Sequence, residues 1–523
     1  MRRIFTCAAV ILVAASAMAA DWPQWMGPTR DGVVERSPAL VDAFGEGGPK
    51  VLWTSEEIIG GWAGGWGTVA VSADAAYVYS SHNYNVPKDE RVIDIRVLRS
   101  LGADRKLPDD LRDKVEAART GEARKALKDG RKIRTWVNAW VKENAADQRQ
   151  LLGVIRQRLQ AGPDNPSPAQ LEKLRGIRDR KFEKAAALDA WFVENDIKDP
   201  QKKRVLSRVS KTNRVAKDHL VRLDAATGKT VWRKSYDGQE MAYPASTTPT
   251  IVYGRITLLD SLGNIACFSE KDGELLWKTE CPKRRGWRRT RSSSVLVTDG
   301  VAVVQAEAGA IAVDATTGKE LWRKAALGNE GASPFAWKKD GATYLVVNGG
   351  NKVNLVALKT GNVLWSVRGG GDGSPVVVDD TIVICLGGKG GIKAFPASLE
   401  EPKELWAVPL KDDYTTPVVY EGHVYAVGGA GSGKALCIEL KTGKVKWEAP
   451  MPKDAEYGAP VFADGKLIFV AGKELYIIRA TPEKYDLLAK ADLGIEKWTA
   501  PTFVDGKVFL RRNKAILCVD LRK

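Results

Sequence analysis

Histidine is nearly missing from this chain: His82, His219 and His423 are the only three in 523 residues, and none stands at a ligand spacing from another. A structural zinc site is not expected, because tetrahedral zinc draws on closely spaced cysteines and histidines. Cysteine is sparse as well, six in all, with no Cys-x-x-Cys and no adjacent pair. Cys267, Cys385, Cys437 and Cys518 each sit in a β-run and Cys281 follows one, so they read as small hydrophobes in packed sheets. After the leader that contains Cys7 no stretch approaches 18 consecutive apolar residues, so no transmembrane span is expected. The nucleophile elbow G-x-S-x-G, the zincin H-E-x-x-H and the P-loop lysine pattern are also missing. Glycine clusters such as Gly349-Gly350 lie between strands, without the strand-to-helix setting of a dinucleotide site.

The leader itself is informative. Arg2-Arg3, an apolar run from Ile4 to Val13 and the small-residue site Ala17-Met-Ala19 have the form of a secretory signal over residues 1–20. A periplasmic or secreted protein is expected. Export permits disulfides, yet five cysteines, an odd number, follow the leader.

What the chain has in abundance is repetition. Asp314-Ala-Thr-Thr-Gly-Lys-Glu-Leu-Trp322 recurs as Asp224 to Trp232, Glu270 to Trp277, Leu358 to Trp365 and Leu440 to Trp447, with a looser copy ending at Trp406. A period of roughly 40 to 45 residues marks a stacked-repeat fold. Each copy reads strand, glycine turn, strand, and a second hairpin lies upstream, as in Ser294 to Val304 around Thr298-Asp-Gly300. Two hairpins per repeat make a four-stranded antiparallel propeller blade. Lys50-Val-Leu-Trp53 is a fourth strand without its first three, whereas the last repeat ends at Ala515 to Val519 for want of a fourth. The two complete one blade and close an all-β, eight-bladed ring.

The repeat resembles the quinoprotein, or PQQ-like, β-propeller family, whose motif runs A-x-D-x-x-T-G-K-x-x-W. The resemblance implies that Trp232, Trp277, Trp322, Trp365 and Trp447 are staples against a neighbouring glycine turn rather than ligands. Asp21-Trp-Pro-Gln-Trp-Met-Gly-Pro28 resembles the W-P-Q-W-R-G-P opening of exported members, with Met26 in place of Arg. Its two tryptophans are expected on the propeller's flank, within an N-terminal extension over 21–50.

One segment breaks the pattern. The propeller begins over 51–82 and resumes over 219–523, and between them residues 83–218 are rich in Ala, Leu, Lys, Arg and Glu. Leu111, Val115 and Ala118, then Ile133, Trp136, Val137, Trp140 and Val141, recur at helical spacing. About four helices are expected, one of them capped by Ser167-Pro-Ala-Gln170. This α-helical insertion in the first blade carries 33 Lys and Arg against 21 Asp and Glu, most of the chain's net +16. The excess reads as a solvated face, or as contact with anionic envelope polymer or lipid; nucleic acid is not expected as a partner.

Loops leading into a blade share a face with the loops joining its second and third strands, so the insertion belongs to that face. The lead-in loops carry Trp62, Trp66, Tyr243, Trp287, Tyr414, Tyr457 and Trp498, with Arg285 and Arg288 in the run Lys283 to Arg291. Two readings stand for them: packing of the strand starts, or a surface for a protein partner of the cell envelope.

Quinoprotein dehydrogenases of the same family hold pyrroloquinoline quinone over calcium. The family pattern requires a carboxylate cluster and usually a Cys-Cys pair. Here Glu240, Glu330, Asp372, Asp413, Glu456 and Glu496 fall one to a blade and read as solvated loop charge. No catalytic residue, metal or cofactor is assigned. A noncatalytic scaffold similar to the BamB branch is the expected function, with a PQQ- and calcium-dependent dehydrogenase as the alternative.

Overall fold

A computed structural model of the protein describes residues 21–60, 67–243, 246–284, 292–388, 390–412, 414–429, 433–453, 455, 458–495, 499–512 and 514–523. The secretion-signal reading falls on residues 1–20, outside that set. Two compact units are present: the chain up to Tyr84 together with Ala216–Lys523, and Asn85–Val215.

The first unit is a propeller of eight four-stranded antiparallel sheets. Blade 3 shows the plan, with strands Leu296–Thr298, Val301–Ala306, Gly309–Asp314 and Glu320–Lys324 running outward from the channel. Its first turn is two residues long, Asp299 and Gly300, at φ 48° and 74°. That is a type I′ hairpin turn, whose twist matches the strand pair and whose left-handed backbone suits Asp and Gly. In the third turn Asp314 Oδ1 accepts from both the amide and the hydroxyl of Thr317 at 2.8 Å, so the Asp-x-x-Thr-Gly signature is a self-bonded turn. A register shift recurs at the same place in blades 1, 3 and 6, between Arg222 and Leu223, Ala312 and Val313, and Cys437 and Ile438.

The tryptophans join the blades. A β-carbon added to Gly228, Gly273, Gly318, Gly361 or Gly443 would fall 2.4–2.8 Å from the ring of Trp53, Trp232, Trp277, Trp322 or Trp406 respectively. Each ring belongs to the preceding blade, so only glycine fits beneath it. The indole N–H groups of Trp322, Trp406 and Trp447 also donate to Leu358, Leu440 and Thr481 carbonyls at 2.7 Å.

The ring closes as a hybrid sheet. Lys50–Thr54 pairs with Ala515–Asp520, Lys50 opposite Asp520 and Val51 opposite Val519, and becomes the fourth strand of blade 8. Arg511 donates to the carbonyls of Gly67 and Tyr79 in blade 1 at 3.0 and 3.1 Å. Phe503, Phe509 and Leu517 of blade 8 share one apolar cluster with Val69, Val78 and Leu223 of blade 1. A seam so filled holds the last sheet to the first by burial as well as by hydrogen bonds.

The N-terminal segment is not on the flank. Trp22 is buried and exchanges backbone hydrogen bonds with Val71 of blade 1, and Pro23 accepts from Ile251 of blade 2. Arg30 reaches blade 3, and Gly32 and Val34 bond both sides of Phe462 in blade 7. All are innermost strands, so residues 21–34 cross the central channel. They do so toward the first-turn end, where Asp21 accepts from the amide of Ala73 and Asp464 from that of Leu40. Met26 is buried in the cluster that holds Val418 and Phe462, a site with no use for a charge at that position. The segment carries no β-repeat periodicity, so its destination depended on ring closure.

The second unit holds eight α-helices among its described residues, twice the expected number; those at Ile95–Ser100, Glu122–Lys125 and Gln201–Leu206 are too short to display a period. Ser167 and Gln170 close the expected capping box. Val115, Val137 and Val141 form one core, with Leu111, Ala118, Ile133, Trp136 and Trp140 packed on it. Part of the positive charge is internal: Arg119, Arg124 and Arg158 are buried. Glu116 pairs with both Arg119 and Arg158, and the three guanidinium groups bond carbonyls that cap Leu152–Ala161 and the turn after it.

Candidate functional site

The starts of the innermost strands build the channel wall beside the lead-in loops. Here the amide of Thr68 donates to Thr248 Oγ1, Thr248 to Ser294 Oγ, Ser294 to Ser333 Oγ and Ser333 to Ser374 Oγ, at 3.2, 2.9, 2.9 and 3.0 Å. Five successive blades are thus linked around the channel by hydroxyls, which explains the Ser-Pro and Thr-Pro strand starts. Proline follows because its missing N–H is not needed there. Against this chain of hydroxyls lies Arg30, buried and bonded to Gln24 Oε1 at 3.1 Å and to the Val295 and Ser294 carbonyls at 3.0 and 3.2 Å. Burial alone lowers its pKa to about 9.

Of the expected partner face, Tyr243 and Tyr414 lie within the described residues; Trp62, Trp66, Arg285, Trp287, Arg288, Tyr457 and Trp498 lie outside them. Tyr243 is 45% exposed, and Tyr414 is half-buried. They belong to the loops leading into blades 2 and 6, opposite one another in an eight-bladed ring. Asp412 anchors the second loop: its carboxylate accepts from the amides of Tyr414, Thr415 and Gly429 at 2.7, 3.1 and 2.7 Å, and burial holds its pKa above the ordinary value. Glu240, Glu330 and Asp372 are half-buried; Asp413, Glu456 and Glu496 lie outside the described residues.

A second polar cluster, between blades 1 and 2, gave no sequence signal. Asp218 is 2% exposed, with Oδ2 accepting the Ser261 amide at 3.0 Å. Burial and then the charge of Asp260 push its pKa up to about 6. The next residue, His219, points the other way: its ring nitrogens meet Tyr84 Oη at 2.9 Å and Ser235 Oγ at 2.8 Å. Burial, then the nearby His82, lowers its pKa to about 4.

The sequence profile of the family described as outer membrane protein assembly factor BamB matches residues 201–384 and 389–518, more than half of the chain. The chain belongs to that family. No curated protein sequence matches it. Among solved structures it is similar to BamB from Moraxella catarrhalis, at 16% identity over 56% of this chain and 86% of that one, TM-score 0.45. It is also similar to a quinohemoprotein alcohol dehydrogenase from Pseudomonas putida, at 12% identity over 59% and 72%, TM-score 0.44. A computationally designed protein, Ika8, matches at 15% identity over 58% and 90%, TM-score 0.43.

Membership of a PQQ-repeat family raises the question of a quinone. Among the described residues no three His, Cys, Asp or Glu side chains converge where an ion could be held. Arg30, the guanidinium of the segment that crosses the channel, has donors committed to Gln24 and two carbonyls. The described residues do not fit a quinone over calcium, which needs several oxygen ligands and free cationic donors. All five described cysteines are buried thiols rather than disulfides, and burial pushes Cys281, Cys437 and Cys518 up to about 12, far from nucleophilic thiolates. No helix among the described residues is long and apolar enough to cross a membrane.

Proposed function

We propose that this protein is an exported scaffold of the cell envelope that binds other proteins on the face formed by its lead-in loops. Membership of the BamB family carries the reading, because the match runs along the blades themselves. The choice of face rests on the channel: residues 21–34 occupy it toward the first-turn end, whereas the lead-in loops carry an exposed Tyr243 and the half-buried Tyr414. An exposed aromatic held on a rigid rim is what partner recognition uses.

Photo-crosslinking in the native envelope tests this. A benzoylphenylalanine at Tyr243 or Tyr414 should give discrete adducts with envelope proteins. The same group at Tyr253, a first-turn residue that is 94% exposed, should give none. Adducts from Tyr253 alone would place the working surface on the wrong side and overturn the proposal.

A further inference from the structure

Between blades 1 and 2 lies a cavity of 180 Å³, several times the ~30 Å³ share of one water. Its wall is apolar along Leu220, Leu258 and the rings of Tyr236 and Phe268, whose centroids are 4.8 Å apart. Polar groups gather at one place, Tyr79, Asp218 and Asp260. Asp218 Oδ1 and the Tyr79 hydroxyl are both buried without a partner of ordinary geometry, and they lie close enough to each other that the carboxyl, by its charge and by a hydrogen bond to the phenol, raises the phenol's pKa after burial has done so. A buried oxygen without a donor costs about 1–3 kcal/mol, more for a charged one. A cavity bordered by such atoms suits something that donates.

The wall chooses among cations. Calcium takes six to eight oxygens, and here Leu and aromatic carbon faces most of the volume, while both oxygens of Asp260 already accept from Asn264 at 2.7 and 2.8 Å. An ammonium head needs only two or three acceptors, and an attached alkyl chain suits a cavity walled by aromatic rings. At the rim, Asp237 is paired with Lys217 at 2.6 Å and is also near Lys278, so the outer charges offset one another and the uncompensated negative charge is internal.

We propose that this pocket binds a primary alkylammonium group, with the head on Asp218 Oδ1 and the Tyr79 oxygen and the alkyl tail between Tyr236, Phe268 and Leu258. Burial beside Asp260 raises the carboxyl toward neutrality when the pocket is vacant, and an occupying cation would restore its charge.

Calorimetric titration of the full mature chain at pH 8 tests it, with n-butylammonium chloride against n-butanol at matched ionic strength. Saturable binding of the amine and none of the alcohol is expected, with affinity falling at least tenfold in Asp218→Asn and severalfold in Tyr79→Phe. Circular dichroism establishes that each variant is folded. Nα-acetyl-lysine methylamide and its Nε-acetylated form separate the sources: binding of the first but not the second admits a lysine side chain of a polypeptide, and binding of butylammonium alone restricts the site to free amines. No saturable amine binding, equal binding of the alcohol, or undiminished binding by folded Asp218→Asn would overturn the assignment. So would calcium displacing the amine one for one.

Discussion

The six-membered ring of the Trp322 indole lies where a side chain on Gly361 would have to go: a β-carbon there would sit 2.6 Å from it, and the backbone at Gly361 is left-handed, at φ 69°. The same stacking recurs from blade to blade, so the strength of the propeller resides between its sheets as much as within them.

Gly361→Ala combines a left-handed alanine with a steric clash and should cost about 3 kcal/mol or more. Gly254→Ala is the comparison, since Gly254 has a similar φ of 73° but open space around its α-carbon. It should cost only about 1 kcal/mol. Urea unfolding of the two variants isolates the contribution of the ring; equal costs would remove the staple from the account.

Ser294→Ala should destabilise by about 1–3 kcal/mol, because it leaves the buried amide of Thr248 without an acceptor. Ser294→Thr retains the hydroxyl and should cost less. If both cost the same, the ring of hydroxyls does not hold the blades together.

Asp218 and His219 bias stability in opposite directions with pH. The fold favours neutral Asp218, whose pKa rises from 3.8 to about 6, so its stabilisation is complete below the lower value and lost as pH rises through the upper. The fold also favours neutral His219, whose pKa drops from 6.5 to about 4, so its stabilisation is complete above the upper value and lost as pH falls through the lower. Each shift of two units or so corresponds to about 3 kcal/mol, and between about pH 4 and 6 the two trends offset one another. Asp218→Asn should therefore exceed the parent's stability by about 3 kcal/mol at pH 8 and by little near pH 4. Relative to His219→Gln, the parent should lose about 3 kcal/mol as pH falls from 6.5 to 4. Urea midpoints across that range are the measurement, and a pH-independent difference for either variant would contradict its assignment.

Arg30→Met should cost about 3 kcal/mol, since the Ser294 and Val295 carbonyls and Gln24 Oε1 would lose their donor inside the channel. Arg30→Lys should recover little of that loss, because one ammonium cannot reproduce the two-armed contact. Proteolytic susceptibility of residues 21–34 offers a second readout, rising in both variants.

Periodic features of this molecule were legible in its residues. The spacing of Asp, Thr, Gly and Trp identified the blade, and the orphan strand at Lys50 to Trp53 identified the closing sheet, because each reports interactions repeated between neighbouring units. Helical spacing likewise located the core of Val115, Val137 and Val141 in the insertion. The shortest helices escaped, since fewer than two turns cannot show a period. The lead-in aromatics were recognisable as a set, but a sequence cannot distinguish a ring that packs from a ring that greets a partner.

The amino-acid order alone therefore settled the repeat, the number of blades and the manner of closure, all of which are written in local patterns that recur. Tertiary structure decided where the unrepeated parts go: Trp22 to Val34 into the channel, Arg119 and Arg158 onto the single carboxylate of Glu116, and Tyr79 toward Asp218 and Asp260. Arg119 meets Glu116 at helical spacing, but Arg158 reaches it only when two helices of the insertion pack; the channel crossing and the Tyr79 cluster exist only once the closed ring brings blade 1 between blade 8 and blade 2.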